Sequence, residues 1–179
     1  PEQVRISFGP QHGRLPHSEL DALIDERWIA AVEANPRIFD GSKFRLKHIA
    51  WSPDGQAVGL QLGLTGYKEY LGTNRLEEDL WRQLRDDGER VHGDAAAHLS
   101  NALGCEAIFL TSDGQAVMLR RSGAVGTHSG LYNGPSGHPE PSHAGLLADG
   151  CDSDSIEERV CQELFDSVLQ EVHEETNVP

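Results

Sequence analysis

Positive charge is scarce in this chain: 15 Lys and Arg stand against 29 Asp and Glu, a formal charge of −14. Such a surface repels nucleic-acid phosphates and anionic lipid, so neither is an expected partner. It does not exclude a small phosphorylated substrate, because a bound divalent cation can supply the missing positive charge. Cysteine is sparse too. Cys105, Cys151 and Cys161 are odd in number, and no CxxC or metal-like spacing joins them, so free thiols in a reducing compartment are expected. No apolar run approaches the roughly 20 residues that cross a bilayer, and Pro1-Glu2-Gln3-Val4-Arg5 has no secretory h-region. A cytoplasmic protein is the default, with the nucleus left open. Beginning at proline rather than methionine, the chain reads as processed, trimmed or incomplete. Several catalytic signatures are missing as well. There is no P-loop and no GxGxxG, and His173-Glu174-Glu175 leads to Asn177 rather than to a second histidine. Gly134-Pro135-Ser136-Gly137 is not a GxSxG elbow. His138 and His143, the nearest loop pair, read as solvated histidines rather than zinc ligands.

What is present is ordinary globular composition, 25% charged and 37% apolar over 179 residues, enough for one domain or one domain with a subsidiary lobe. Val4 to Phe8 alternates like a strand that Gly9-Pro10 ends. Ser18 to Asp21 resembles a helix start, and Leu20, Leu23, Ile24, Trp28, Ala31 and Val32 keep helical spacing until Pro36. Two hairpins follow: 44–51 with 56–64 about Ser52-Pro53-Asp54-Gly55, and 107–110 with 115–119 about Ser112-Asp113-Gly114. Between them lie a helical turn over 67–71, a helix over 76–87 that Gly88 can end, and a short turn over 95–99. From Gly123 to Ser155 the chain is rich in Gly, Pro, Ser and His and reads as a long loop. The last element, 155–176, is the strongest helix, with Ile156, Val160, Cys161, Leu164, Phe165, Val168, Leu169 and Val172 on one stripe and Asp154 or Ser155 as its cap. The order predicts a mixed α/β (α+β) arrangement.

Glu171, Glu174 and Glu175 occupy the wrong end of that helix. The macrodipole disfavours an anion there by about 0.3–1 kcal/mol, and the i,i+3 and i,i+4 spacings set like charges side by side. Arg159 is the one Lys or Arg on the helix, three turns away. A divalent cation reverses the sign of each of these effects, and hard oxygen ligands at this spacing suit Mg²⁺. Taken alone, the pattern also fits a solvated acidic face, because packing can absorb so small a dipole effect.

The surrounding sequence distinguishes the two. Gln170-Glu171-Val172-His173-Glu174-Glu175-Thr176-Asn177-Val178 resembles the second half of the Nudix box, Arg-Glu-U-x-Glu-Glu-x-Gly-U with U apolar. Pro135-Ser136-Gly137-His138-Pro139-Glu140 resembles the Pro-Gly-Gly-x-x-Glu that opens it. The departures are specific: Gln170 stands for the arginine, Asn177 for the glycine and Ser136 for one loop glycine. Gly137 and Gln170 lie 33 positions apart against 14 in the box, so about 19 residues are inserted and the middle glutamate has no clear counterpart. Asn177 is the mildest change, because asparagine tolerates a left-handed helix end. A degenerate box with a lengthened loop after Gly-His-Pro-Glu-Pro, here 137–141, resembles the subgroup of UDP-glucose and UDP-galactose diphosphatases. Glu163-Leu164-Phe165, 167–171, Asn177-Val178-Pro179, 43–46, 63–65 and 71–74 look like that subgroup too. The likeness runs from about Phe39 to the last residue.

The resemblance implies a Nudix-like mixed sheet with helices on both faces, preceded by an N-terminal lobe over 1–100. The Nudix unit would start at 101, with a box loop at 135–141, an insertion at 141–154 expected to be mobile, and the box helix at 155–176. In that family the sheet continues after the box helix, so the C-terminal part of the fold is expected to be missing from this chain, which is itself expected to hydrolyse UDP-glucose poorly or not at all. It also implies Mg²⁺-dependent hydrolysis (Mn²⁺ as substitute) of a nucleoside diphosphate sugar, UDP-glucose or UDP-galactose, to UMP and sugar 1-phosphate. Glu171 and Glu175 would be catalytic and, with Glu174, metal-binding. Gly137 would hold phosphate through backbone N–H groups around it, with Glu140 as an extra ligand at the substrate. Tyr67 and Asn74, in a cluster with Tyr70 and Thr73, would meet uracil or sugar, or else form a half-buried helical turn. Arg120 and Arg121 would meet pyrophosphate or simply edge a strand. The rivals are a Nudix hydrolase for another diphosphate, such as ADP-ribose or a coenzyme A derivative, and a non-catalytic nucleotide-sugar-binding module.

Overall fold

A computed structural model describes residues 2–120, 130–146 and 155–177. Cys151, Arg121, the cap candidate Asp154 and most of the 141–154 insertion lie outside the described residues. The architecture is mixed α/β. Strand β1 (Val4–Phe8) runs parallel to the central strand β3 (Val58–Gly66), and β2 (Ser42–Trp51) pairs antiparallel on β3's other edge. The hairpin joining β2 and β3 closes as its sequence predicts. Asp54 accepts hydrogen bonds from Ser52 Oγ at 2.6 Å and from the Gln56 N–H at 3.0 Å, while Gly55 supplies φ 68°.

Successive strand residues face opposite ways, and here the two faces differ in kind. Phe44 and Leu62, both 0% exposed, point toward Val160 and Leu164 of the final helix α4 (Ile156–Thr176) and toward Ala144. Each such side chain contributes about 1.5–3 kcal/mol by leaving water. Arg45, on the opposite face, is 1% exposed and donates to three carbonyls: Leu99 O at 2.9 Å, His12 O at 2.8 Å and Ala96 O at 2.6 Å. A second cluster gathers Leu76, Leu84 and Leu99 with Leu20, Leu23, Leu80 and Trp81. Among the described residues no helix is long and apolar enough to cross a membrane.

Three expectations are corrected. Helix α1 begins at Ala22 and runs to Ala34, and no cap hydrogen bond comes from Ser18. Residues 18–21 form a turn held by His17 Nδ1, which accepts the N–H groups of Glu19 (3.2 Å) and Leu20 (3.1 Å), while Asp21 is engaged by Arg14. After α2 (Tyr67–Thr73), helix α3 (Glu78–His92) passes through Gly88 and stops at Gly93, φ 65°. Gly88 serves packing instead, since a Cβ there would lie 2.6 Å from Asp94 O. The second hairpin keeps its turn, with Thr111 N–H to Gln115 O at 2.9 Å and Gly114 at φ 80°, but its arms are joined only briefly, by a Leu110–Ala116 bridge and the Val117 N–H on Phe109 O at 3.1 Å. The flanking strands pair at long range: β4 (Cys105–Glu106) with β7 (Ser136–Gly137), and β5 (Leu119–Arg120) with β6 (Tyr132–Asn133).

Candidate functional site

The loop over 134–141 is built to hold one shape. Pro135, Pro139 and Pro141 are fully buried, so their fixed φ angles stiffen a segment already clamped by packing. Its β7 portion pairs with β4, matching Gly137 to Cys105 and Ser136 to Glu106. Glu106 Oε1 also accepts the Gly134 N–H at 2.5 Å, and Asn133 Nδ2 donates to Ser136 Oγ at 2.7 Å. The insertion after it does not begin as a free loop: Pro141 is fully buried and Ala144 is 4% exposed within the main core. That corrects the expectation of mobility for 141–146.

The last turns of α4 lie directly against this loop. Glu171 fills the space in front of Gly137, where any Cβ would overlap its carboxylate and sit 2.7 Å from its Cγ. Glu175 Oε2 accepts the Ser136 N–H at 3.3 Å. Thus the helix and loop halves of the motif meet, although 33 positions separate Gly137 from Gln170. Glu174 turns elsewhere and accepts a hydrogen bond from Gln170 Nε2 at 2.7 Å. Asn177 ends the helix at φ 56°, left-handed as expected, with its N–H on His173 O at 2.8 Å. The Glu171 carboxyl is pushed above its usual range by burial, then by Glu175 and Glu174.

Other candidates are placed as follows. The Glu140 carboxylate pairs with Lys43 Nζ, and its N–H donates to Glu163 Oε1 at 2.8 Å. Surrounding protein and then Lys43 push the His138 imidazole below its ordinary value. Tyr67 stacks on Tyr70 with ring centroids 6.2 Å apart. Asn74 braces Asn101, donating to its Oδ1 and accepting its N–H, each at 2.9 Å. None of these bonds links Tyr67 or Asn74 to the 134–141 loop or to α4. Arg120 lies in β5 opposite Tyr132. A cavity of about 610 Å³ opens beside Arg14, Asp40, Thr65 and Lys68. Its cations are already paired, Arg14 with Asp21 and Glu69 and Lys68 with Asp25, so it contributes no free charge to a phosphate. Lys43 and Glu163 lie in segments that carry the resemblance, but the sequence assigned neither a role at the site. A lone lysine in a strand carries no signal, and Glu163 could have been found only as an acid on the buried side of an apolar stripe.

The residues fit a hard divalent cation in chemistry and in part in geometry. Glu171 and Glu175 are oxygen donors directed at one loop, yet among the described residues no group of three His, Cys, Asp or Glu converges as a metal site.

No protein-family model matches the chain. Individual relatives do. It is 39% identical over 181 residues, 99% of its own length and 62% of the relative's, to uridine diphosphate glucose pyrophosphatase NUDT22 of Bos taurus. Against the human protein of that name it is 38% identical over 99% of this chain and 59% of the relative. Against Nudix hydrolase 9 of Arabidopsis thaliana it is 35% identical over all of this chain and 61% of the relative. The chain thus spans about three fifths of the length of these relatives. Along its whole length the chain is thus similar to the NUDT22 proteins and to Nudix hydrolase 9.

Proposed function

We propose that this chain carries the catalytic box of a Mg²⁺-dependent pyrophosphatase, with Mn²⁺ as substitute, that splits UDP-glucose or UDP-galactose into UMP and sugar 1-phosphate. The observation that carries the reading is the approach of Glu171 and Glu175 to the Ser136–Gly137 strand. Three carboxylates crowded at a helix C-terminus are unfavourable until a cation is bound. Burial raises the Glu171 carboxyl first, and the neighbouring Glu175 and Glu174 raise it further.

Glu171 and Glu175 would hold the cation, with Glu174 completing the set directly or through water once released from Gln170. When bound, the cation supplies positive charge to the pyrophosphate oxygens and lowers the pKa of an attacking water. The remaining work belongs to the chain. The clamped backbone would offer phosphate the N–H groups of Gly137 and His138, since carboxylates hold those of Gly134, Ser136 and Glu140, and Lys43 holds the Glu140 carboxylate so that it does not repel the substrate. Tyr67 and Asn74 are proposed to border the uridine or sugar, and the division at residue 100 to separate the N-terminal lobe from the Nudix unit. A cytoplasmic setting is in keeping with free Cys105 and Cys161.

Glu171→Gln and Glu175→Gln test the assignment, since each removes an anionic oxygen while keeping size. Each should weaken Mg²⁺ binding in calorimetry and depress UMP release from UDP-glucose. Unchanged Mg²⁺ affinity in both variants would rule the site out. The second reading, a nucleotide-sugar-binding module without turnover, is favoured by the lack of a third converging donor among the described residues. Saturable UDP-glucose binding with no UMP release at any Mg²⁺ concentration would establish it.

A further inference from the structure

Glu163 is a carboxylate in a place meant for apolar side chains. It lies on α4 between Val160 and Leu164, both core residues, and is itself 7% exposed. Among the described residues no lysine or arginine pairs with it, and its one ionisable partner is His143, with Nδ1 at 3.5 Å. Burying a carboxylate without a cation is unfavourable, so the side chain must serve something an apolar residue could not. Its Oε1 accepts the Glu140 N–H at 2.8 Å.

The sequence makes that bond hard to replace. Glu140 stands between Pro139 and Pro141, and proline has no N–H. Across 139–141 the backbone therefore offers a single donor, and Glu163 takes it. The dimensions agree. Glu163 and Glu171 are eight residues apart, about 12 Å along the helix at 1.5 Å per residue. Glu140 and Gly137 are three apart, at most about 10 Å of extended chain. The loop and the helix thus run side by side between two attachments, Glu140 on Glu163 and Gly137 on Glu171.

We propose that Glu163 is a positioning residue: by accepting the Glu140 N–H it clamps the 137–141 loop to α4 and sets how closely Gly137 approaches Glu171. The proposal rests on the pyrophosphatase reading for its catalytic consequence, but not for the clamp itself.

Two variants separate the acceptor from its charge and from bulk packing. Glu163→Gln keeps an oxygen acceptor. Glu163→Leu matches its apolar neighbours, so the fold should survive with an equal or higher melting temperature. In Glu163→Leu the Glu140 amide should exchange with solvent at least about 10-fold faster, and kcat for Mg²⁺-dependent UMP release should fall by roughly 10- to 100-fold, with KM changing less. Glu163→Gln should restore most of both. A Glu140 amide equally protected in Glu163→Leu, or a Glu163→Gln variant as impaired as Glu163→Leu, overturns the proposal. If the unsubstituted protein releases no UMP, the pyrophosphatase reading fails while the amide exchange still decides the clamp.

Discussion

Replacing Gly137 by alanine should separate stability from function more cleanly than any other single change in this molecule. Gly137 lies in β7 and is not among the residues at positive φ, so its backbone does not require glycine. Gly→Ala at a compatible position typically stabilises by about 0.4–1 kcal/mol, through the unfolded chain. What requires glycine is Glu171. An added Cβ would sit 2.7 Å from Glu171 Cγ, with Cδ and Oε1 nearer still, whereas carbon atoms rest at about 3.5–4.0 Å. The carboxylate must therefore withdraw by about 1 Å or more.

Glu171 is half-buried and sits one residue beyond the exposed Gln170, so it can swing outward at a rotamer penalty of about 0.5–1.5 kcal/mol. The two effects nearly cancel, and the melting temperature should move by only a few degrees. The site should not survive so well. Misplacing a catalytic group by about 1 Å can lower the rate about 100-fold, or roughly 2.7 kcal/mol of activation free energy. Melting, Mg²⁺ calorimetry and UMP release from UDP-glucose should be measured on the same preparation. A Gly137→Ala protein with unaltered Mg²⁺ affinity and kcat would refute the claim that the approach of Glu171 to this loop matters. A protein that fails to fold would refute the claim that the glycine is required only by the site.

Arg45→Met should be severe, since it leaves the carbonyls of Leu99, His12 and Ala96 without their shared donor. Urea unfolding should show a loss of about 3–5 kcal/mol, and a loss below about 1 kcal/mol would show that water replaces the guanidinium. Burial alone would raise the Asp21 carboxyl, but hydrogen bonds from Arg14 and the His17 N–H hold it below its ordinary value. Its stabilisation is therefore present above about pH 4 and lost as the pH falls through the lowered folded value. Asp21→Asn should flatten the acid limb of the stability–pH curve, and an unchanged limb would remove Asp21 from that account.

The elements legible in the sequence are those whose signal is local. Val4–Phe8, the β2–β3 hairpin and α4 fall where alternation, an Asp-Gly turn and helical periodicity place them. The errors arise where a residue with a familiar local role is used for a distant one. Ser18 and Asp21 look like a cap, but His17 organises that turn and Arg14 recruits Asp21. Gly88 looks like a stop, but it is the point where the 94–97 turn meets α3. The second hairpin looks self-contained, yet β4 and β5 find partners about 30 and 13 residues away. No short window of sequence could hold that pairing.

The same division runs through the candidate site. Glu171, Glu175 and Gly137 were legible because a motif preserves their spacing within each half, and the fold joins the halves. Glu163 was not, because a single glutamate in a helix reads as solvent-facing unless its neighbours' burial is known. The available signal was indirect. A Pro-Glu-Pro segment leaves one N–H to be satisfied, and buried backbone donors are rarely left unpaired. Had the question been where that lone N–H goes, the acid on the apolar stripe of α4 was the answer within reach.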